Sequence, residues 1–317
     1  MTTVFMFPGQ SSRYPEMMRR LLETAKAETE RTLGLAGEVL KEDVAARFLS
    51  GDADMFAENR SVQLGVFLAN HIHMLAAESA GIRARYSVGL SLGEYNHLVH
   101  IGALDFADAV RIVAARGAAY DAGPPGAMAS VFPLELDELR AVVAEVAALG
   151  LGVLEIANLN SPTQNVISGD QAAVREAMVR LDRDHGVDPV LIEPNIAMHS
   201  SLFRGVAEVL APTLRAAPFK TPSRPYLPNV LGDFEPAPTR ENIGEHLVAH
   251  VCSPVLFRRS IDRLVAQDPD AVFVEVGPRS VLFNLLSRKW LSNRRFKMDT
   301  PDGPPRELAT PRAEVQP

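Results

Sequence analysis

A serine stands between two glycines in the stretch Ser87–Tyr95, which reads SVGLSLGEY. The apolar run before it predicts a short strand and the residues after it predict a helix, so Ser91 falls on a sharp strand-to-helix turn, a nucleophile elbow. Such a turn exposes the hydroxyl, and the helix N-terminus offers N–H donors and partial positive charge that favour an oxyanion. The stretch indicates nucleophilic chemistry, although a Gly-x-Ser-x-Gly match alone also occurs by chance in loops.

An elbow serine requires a general base, and the chain has eight histidines. Those nearest in sequence, His71, His73, His97 and His100, fall on or near predicted helices, where packed or surface histidine is the commoner structural role. His199 instead follows a short extended run and precedes a predicted helix, a position from which a side chain can be aimed across a cleft. Nucleophile and base need to be close only in space, so His199 is a candidate base.

Two further polar residues lie near the ends of predicted elements. Gln10 follows the apolar run Val4–Phe7, which predicts a buried strand, and the intervening turn places it where a loop can overhang a site on the neighbouring strand. Arg116 lies near the end of a helix predicted to begin at Asp105, on an otherwise Ala-rich face. Considered alone, Arg116 is typical of a solvated or helix-terminal arginine.

Strands that alternate with helices indicate an α/β fold with a mostly parallel, α/β-hydrolase-like sheet. Residues 125–194, which begin in the linker Gly123–Gly126, follow the order β-α-β-β-α-β of a ferredoxin-like domain. We therefore predict an inserted small domain at 125–194 and a large catalytic domain formed by 1–124 and 195–298. The proline-rich tail at 299–317 lacks hydrophobic periodicity and is predicted to be disordered.

The composition narrows the function classes. The chain has 317 residues and a net charge of −7, with its basic residues scattered, which argues against a nucleic-acid partner. Its one cysteine, Cys252, allows neither an internal disulfide nor a Cys-rich metal site. The N-terminus lacks the features of a signal peptide, and no apolar run is long enough to span a bilayer. We expect a cytoplasmic protein without a membrane partner, and nothing in the sequence demands more than a monomer.

Short motifs along residues 4–290 add more specific information. They are FPGQ at 7–10, GLSLGEY at 89–95, RG at 116–117, NSP at 160–162, AMHS at 197–200, SPV at 253–255 and EVGP at 275–278. Their order and spacing resemble the malonyl-CoA:acyl-carrier-protein transacylase family, which includes the acyltransferase domains of polyketide synthases. The elements GEYN and NLNSP are more similar to the free-standing acyltransferases of polyketide pathways than to the fatty-acid enzyme.

The resemblance implies roles for the candidate catalytic residues. Ser91 attacks a thioester carbonyl and becomes an acyl ester, while His199 takes its proton and later returns one to the leaving thiol. The main-chain N–H groups of Gln10 and Leu92 form the oxyanion hole. Members of the family orient the histidine with a main-chain carbonyl, which maps onto His250, where the family usually has glutamine.

The resemblance also implies how the acyl group is selected. Arg116 pairs bidentately with the free carboxylate of a malonyl-type group, a task that its planar guanidinium suits. Two positions depart from the family pattern: Leu90 replaces a histidine, and Met198 stands where malonyl-specific members often have phenylalanine. These residues predict a pocket that admits a substituted malonyl or a larger acyl group. Ser11 and Arg13 also depart from the pattern, so the loop at the oxyanion hole is expected to differ.

The implied substrates are a coenzyme A thioester and the phosphopantetheine thiol of an acyl carrier protein, with no permanently bound cofactor and no metal. Carrier proteins of this kind are generally acidic, so an acidic enzyme must present local positive charge. A set of basic residues serves either as that surface or as ordinary solvated surface: Arg258, Arg259, Arg288, Lys289, Arg294 and Arg295.

Three other functions stay open on the sequence alone. The first is transfer of an unusual acyl group from one carrier protein to another, which Leu90 and Met198 motivate. The second is an acyl-thioester hydrolase of a polyketide pathway, in which water replaces the acceptor thiol. The third is a non-catalytic scaffold that binds carrier proteins, and the presence of Ser91, His199 and Arg116 argues against it.

Overall fold

A computed structural model describes residues 2–308 of the chain. The described residues up to Gly117 and from Asp268 onward form one compact unit, and Ala118–Gln267 form the other. The strands are β1 (Thr3–Phe7), β2 (Tyr86–Gly89), β3 (Ala127–Val131), β4 (Leu154–Leu159), β5 (Asn165–Gly169), β6 (Val190–Glu193), β7 (Val272–Glu275) and β8 (Arg295–Lys297). No helix among the described residues is both long enough and apolar enough to cross a membrane.

The helices alternate with these strands along the chain. They are α1 (Met17–Thr24), α2 (Lys26–Leu40), α3 (Val44–Leu49), α4 (Asn59–Ser79), α5 (Gly93–His100), α6 (Phe106–Asp121), α7 (Leu136–Ala147), α8 (Gln171–His185), α9 (Arg204–Ala216), α10 (Arg240–Cys252), α11 (Phe257–Gln267) and α12 (Val281–Leu285). Short 3-10 turns lie between several of them.

The first unit is built on a parallel sheet in the order β2-β1-β7-β8. Strand β1 is central, and its residues from Val4 to Phe7 are fully buried, as expected for a strand covered on both faces. Helix α4 is buried on nearly all sides, because it is apolar over most of its circumference. The predicted α/β fold with a parallel sheet is therefore confirmed.

The second unit contains an antiparallel sheet in the order β4-β5-β3-β6. Helices α7 and α8 supply the connections, and their apolar faces meet the sheet in one buried cluster that includes Leu139, Val142, Ile167 and Leu181. In chain order the pattern is β-α-β-β-α-β with the first and third strands in the middle. The predicted ferredoxin-like fold is confirmed.

The compact units differ from the predicted domain division. The second unit begins at Ala118, before the predicted small domain, and it continues through α9, α10 and α11 to Gln267. The predicted boundaries at 125 and 194 stay a prediction. The tail predicted to be disordered begins at Asp299. Asp299 accepts hydrogen bonds from the Tyr14 hydroxyl (3.1 Å) and the Arg279 N–H (2.7 Å), which fix this segment to the first unit. Residues 309–317 of that tail lie outside the described residues.

Candidate active site

Ser91 occupies the turn between β2 and α5 in a left-handed backbone conformation, with φ of 51°. The flanking residues Gly89 and Gly93 must be glycines, because the neighbouring main chain leaves no room for a Cβ atom. A Cβ at Gly89 would lie 2.1 Å from the Gly93 carbonyl carbon, and a Cβ at Gly93 would lie 2.0 Å from the Phe7 carbonyl oxygen. Strand, turn and helix are thus packed too tightly for any side chain, and the serine is held in a strained conformation of the kind found at functional sites.

The Gln10 loop lies beside this turn because β1 and β2 are neighbouring parallel strands. Phe7 pairs with Gly89, so the loops that follow these two residues leave the same edge of the sheet. The Leu90 N–H donates to the Phe7 carbonyl (2.9 Å), and a Cβ at Gly9 would lie 2.9 Å from the Leu90 carbonyl oxygen. The carboxyl edge of a parallel sheet is the usual place for a ligand site.

Arg116 is buried, with 1% of its surface exposed, so it is not the solvated arginine that its position alone suggests. Its Nη1 donates to Gln63 Oε1 at 2.6 Å, and its guanidinium lies 5.7 Å from the centre of the Tyr95 ring. The Gln63 amide nitrogen in turn donates to Gln10 Oε1 at 3.4 Å. A chain of contacts therefore joins Arg116 to the Gln10 loop through a residue of α4.

The histidines near the elbow are packed inside the first unit. His97 Nδ1 and His100 Nδ1 lie 2.7 and 2.8 Å from the same hydroxyl, that of Ser87. Burial, with a smaller contribution from His100, lowers the pKa of His97 to about 3. Burial likewise lowers the pKa values of His71 and His73 to about 4, so these rings stay neutral near pH 7.

In the second unit, His199 lies between β6 and α9 and is also in a left-handed conformation, with φ of 59°. Its backbone N–H donates to the Val251 carbonyl (3.2 Å), and its Nδ1 lies 2.8 Å from the His250 carbonyl oxygen. A carbonyl can only accept, so Nδ1 carries the hydrogen and Nε2 keeps the lone pair that a base needs. The carbonyl contact implied for His250 is present.

Two other groups fix the loop around His199. Glu155 on β4 accepts hydrogen bonds from the Ser201 N–H (2.8 Å) and hydroxyl (2.6 Å), and the Ser200 hydroxyl donates to the Ala197 carbonyl (2.7 Å). The His250 ring stacks on the His199 ring, with centroids 4.9 Å apart and planes at 26°. Both rings are 1% exposed. Sequence reasoning missed Glu155, which no motif includes.

Leu90 and Met198, which the resemblance implies in acyl selection, and Leu92, which it implies in the oxyanion hole, are apolar and buried in their own units. Leu90 and Leu92 belong to the elbow of the first unit, and Met198 precedes His199 in the second. Of the two departures near Gln10, the Ser11 side chain is exposed and Arg13 donates to the Gln10 carbonyl at 3.2 Å. The Arg13 departure therefore adds a hydrogen bond within the Gln10 loop.

The basic residues predicted as a carrier-protein surface are divided between the units. Arg258 and Arg259 lie on α11, and Arg258 is 3.7 Å from Asp262. The others lie in the first unit, where Arg288, Lys289 and Arg294 are exposed. In the described part of the chain, no group of three or more His, Cys, Asp or Glu residues is arranged to hold a metal ion.

In the first unit, a serine at a strand-turn-helix elbow on a parallel sheet is typical of serine-nucleophile enzymes. In the second unit, a histidine whose Nδ1 is bound to a carbonyl has the tautomer that a general base needs. Comparison with known proteins narrows this class. The chain belongs to the acyl transferase domain family, which matches residues 4–302.

Individual relatives and solved structures agree with this membership. The malonyl CoA-acyl carrier protein transacylase of Bacillus subtilis is 33% identical over 297 residues, which are 92% of this chain and 91% of the relative. The crystal structure of an acyl-carrier-protein S-malonyltransferase from Burkholderia pseudomallei matches with a TM-score of 0.87 and 28% identity, covering 97% of this chain and 98% of that one. A type II PKS acyl-carrier protein in complex with its malonyl-transacylase supplies another match, with a TM-score of 0.85, 26% identity and coverage of 95% and 96%.

Proposed function

We propose that this protein is an acyltransferase that moves a malonyl-type acyl group from coenzyme A to the phosphopantetheine thiol of an acyl carrier protein, through an acyl ester on Ser91. The observation that carries this proposal is the elbow: a left-handed serine between two sterically required glycines, at the carboxyl edge of a parallel sheet. The relatives named as malonyl transacylases support the donor, and the relative solved with its carrier protein supports the acceptor.

The chemistry consists of two mirrored half-reactions. In the first, the Ser91 oxygen attacks the thioester carbonyl, His199 Nε2 takes the hydroxyl proton, and the carbon–sulfur bond breaks as that proton passes to the departing coenzyme A thiolate. In the second, His199 takes the proton of the carrier thiol and the thiolate attacks the acyl ester; the ester carbon–oxygen bond then breaks as the proton passes from His199 to the Ser91 oxygen. The His250 carbonyl supports the first step by holding Nδ1–H, which leaves Nε2 as the proton acceptor.

The tetrahedral intermediate of each half-reaction places negative charge on the former carbonyl oxygen. We assign its stabilisation to the N–H groups of Gln10 and Leu92. Leu92 precedes the first residue of α5, where N–H groups lack a carbonyl partner within the helix, and Gln10 opens the turn after the neighbouring strand. Removal of one such donor in other enzymes costs about 3 kcal/mol of transition-state stabilisation.

Arg116 is assigned to the free carboxylate of the acyl group. Its buried position gives the ion pair little competition from water, and its contacts with Gln63 and Tyr95 hold the guanidinium in one orientation. A lysine lacks the planar fork that binds both carboxylate oxygens at once. The charge of Arg116 therefore provides selection for a carboxylated donor.

A second candidate function keeps the acyl-serine chemistry and changes the donor. Leu90 and Met198, both buried and apolar, stand where the resemblance predicts histidine and phenylalanine. They favour an acyl group larger than malonyl, delivered by one carrier protein and passed to another. Hydrolysis, with water as the acceptor, is the variant in which the acyl ester does not persist.

Intact-mass spectrometry with a panel of acyl thioesters tests these assignments. The wild-type protein mixed with malonyl-CoA is expected to gain one malonyl group on Ser91, stable until a carrier thiol is added. Ser91→Ala abolishes the adduct, and His199→Ala slows its formation at least about 1,000-fold. His250→Gln keeps the backbone carbonyl and is the matched control, expected to react at nearly the wild-type rate. An adduct that forms only from carrier-bound donors favours the second candidate, and loss of acyl groups to water without a carrier favours hydrolysis.

A further inference from the structure

Asn70 is a fully buried amide on α4 whose nitrogen donates two hydrogen bonds. One goes to the Pro8 carbonyl at 3.0 Å, and the other goes to Asn96 Oδ1 at 3.0 Å. A buried amide costs free energy unless its polar atoms are paired; both N–H donors of Asn70 are paired, whereas its Oδ1 is buried without a hydrogen-bond partner among the described residues. The two acceptors belong to different segments of the chain, the loop after β1 and helix α5.

Each acceptor is close in sequence to one of the two proposed oxyanion donors. Pro8 stands two residues before Gln10, in the loop that follows β1. Asn96 stands four residues after Leu92, one turn into α5. A single side chain therefore ties the segment that carries one N–H donor to the helix that carries the other.

The orientation of the Asn70 amide is determined by its surroundings. Asn96 Nδ2 donates to the Phe67 carbonyl at 3.0 Å, so Asn96 must turn its oxygen towards Asn70. With the Pro8 carbonyl as the second neighbour, Asn70 faces two oxygens and must present its NH₂ group. The side facing Gly277 is closely packed, because a Cβ at Gly277 would lie 2.2 Å from Asn70 Oδ1 and 2.5 Å from Pro8 Cγ. The Asn70 side chain is therefore closely packed on this side.

We infer that Asn70 is a positioning residue that sets the spacing between the Gln10 and Leu92 N–H donors of the oxyanion hole. This role rests on the proposed function and adds to it a residue that touches no substrate. The negative charge that these donors stabilise exists only in the transition state and the tetrahedral intermediate. Loss of Asn70 should therefore lower kcat and leave KM nearly unchanged.

A second property separates Asn70 from Arg116. The oxyanion is formed from the thioester carbonyl, which every acyl donor has, whereas Arg116 is assigned to a carboxylate that acetyl groups lack. Variants at Asn70 should therefore slow malonyl and acetyl transfer by the same factor. A residue that only stabilised the fold would lower the amount of active protein and leave the rate constant of the folded fraction unchanged.

Asn70→Asp and Asn96→Asp form a matched pair for the test. Both place one acid in the same buried network. Asn70→Asp removes both donors and leaves at most one O–H, whereas Asn96→Asp keeps the oxygen that accepts from Asn70 and loses only the bond to Phe67. Asn70→Leu, without a buried acid, is the second variant in case Asn70→Asp does not fold. Circular dichroism and titration of reactive Ser91 establish the folded fraction of each.

The readout is the single-turnover rate of Ser91 acylation by malonyl-CoA and by acetyl-CoA. We expect Asn70→Asp and Asn70→Leu to lower the maximal rate on the order of 10–100-fold for both donors, with the half-saturating concentration within about threefold of wild type. Asn96→Asp is expected to stay within about fivefold. Folded Asn70 variants that acylate at the wild-type rate, or that lose only affinity, overturn the inference. Wild-type protein that is never acylated on Ser91 overturns the proposed function instead.

Discussion

The proposed nucleophile and the proposed base are held in similar conformations by different means. Ser91 and His199 both have positive φ, 51° and 59°. The turn that carries Ser91 is held by close main-chain packing, because a Cβ at Gly89 or Gly93 would contact backbone atoms. His199 lies in a loop, where hydrogen bonds to the Val251 and His250 carbonyls hold it.

This difference predicts how substitutions will act at the Ser91 elbow and in the loop that carries His199. Backbone contacts at the elbow cannot relax without moving a strand of the parallel sheet, so a substitution there should act on folding and catalysis together. The loop of the second unit depends on several separate hydrogen bonds, one of which comes from Glu155. Loss of any one of them should weaken the positioning of His199 without disrupting the fold.

Gly93→Ala has the largest expected effect, and it tests whether close main-chain packing holds the Ser91 elbow. The new Cβ would lie 2.0 Å from the Phe7 carbonyl oxygen, which belongs to the central strand and cannot give way easily. We expect a loss of about 3 kcal/mol or more in the free energy of unfolding and at least a 100-fold slower acylation of Ser91. Denaturant titration and intact-mass kinetics measure the two. Gly34→Ala, on α2 with open space around the new Cβ, is the control and should stabilise slightly. Equal stability of the two variants contradicts the backbone account.

Arg116→Ala has the next largest expected effect. It tests whether a residue of the first unit recognises the carboxylate of the acyl donor without taking part in the transfer step. Loss of a charged hydrogen-bonding partner costs about 1.5–3 kcal/mol, so transfer of carboxylated donors should fall about 10–150-fold relative to uncarboxylated ones. Competition between malonyl-CoA and acetyl-CoA for Ser91 gives the ratio directly. Arg111→Ala removes an exposed arginine of the same helix, paired with Asp108 at 2.7 Å, and should not change that ratio. An equal loss for both donors removes Arg116 from carboxylate recognition.

Glu155→Ala gives the smallest expected effect and tests the second unit. The Ser201 N–H and hydroxyl lose their acceptor two residues after His199, which should cost about 1–2 kcal/mol of stability and slow acyl transfer about 3–10-fold. The rate at saturating donor and the denaturation midpoint are the measurements. Glu145→Ala, which removes a mostly exposed carboxylate that pairs with Arg180 at 3.3 Å, is the control. A loss as large as that of Gly93→Ala would erase the contrast between the two units.

Much of the fold was predictable because it depends on local sequence patterns, such as apolar runs, turn residues and the order of strands and helices. The apolar run of β1 and the Gly-x-Ser-x-Gly turn predicted the parallel sheet and its elbow, and the alternation within 125–194 predicted the ferredoxin-like sheet. The disorder predicted for the tail at 299–317 stays a prediction, but the contacts of Asp299 could not be predicted from the sequence. Its contacts with Tyr14 and Arg279 are far apart in sequence, so no local pattern reveals them.

The supporting residues of the site were missed for a related reason. Gln63 and Asn70 are polar residues in an apolar helix, a pattern that says nothing about their partners in Gln10, Arg116 and Pro8. One signal was present: the two amides are seven residues apart, so they lie on the same face of α4, and both contact the loop after β1. The residues themselves made Ser91 a candidate nucleophile and His199 a candidate base, whereas the role of Arg116 came from the resemblance. All three roles stay predictions until the variants are measured.

The Ser87 hydroxyl lies within hydrogen-bond distance of two imidazole nitrogens, those of His97 and His100. One hydroxyl hydrogen can serve only one nitrogen, so the other ring must carry its own hydrogen on Nδ1. His97 and His100 therefore differ at Nδ1: one ring accepts a hydrogen bond there from the Ser87 hydroxyl, and the other donates one to it. Since the pKa of His97 is lowered to about 3, that ring makes no contribution to a rate that changes near neutral pH.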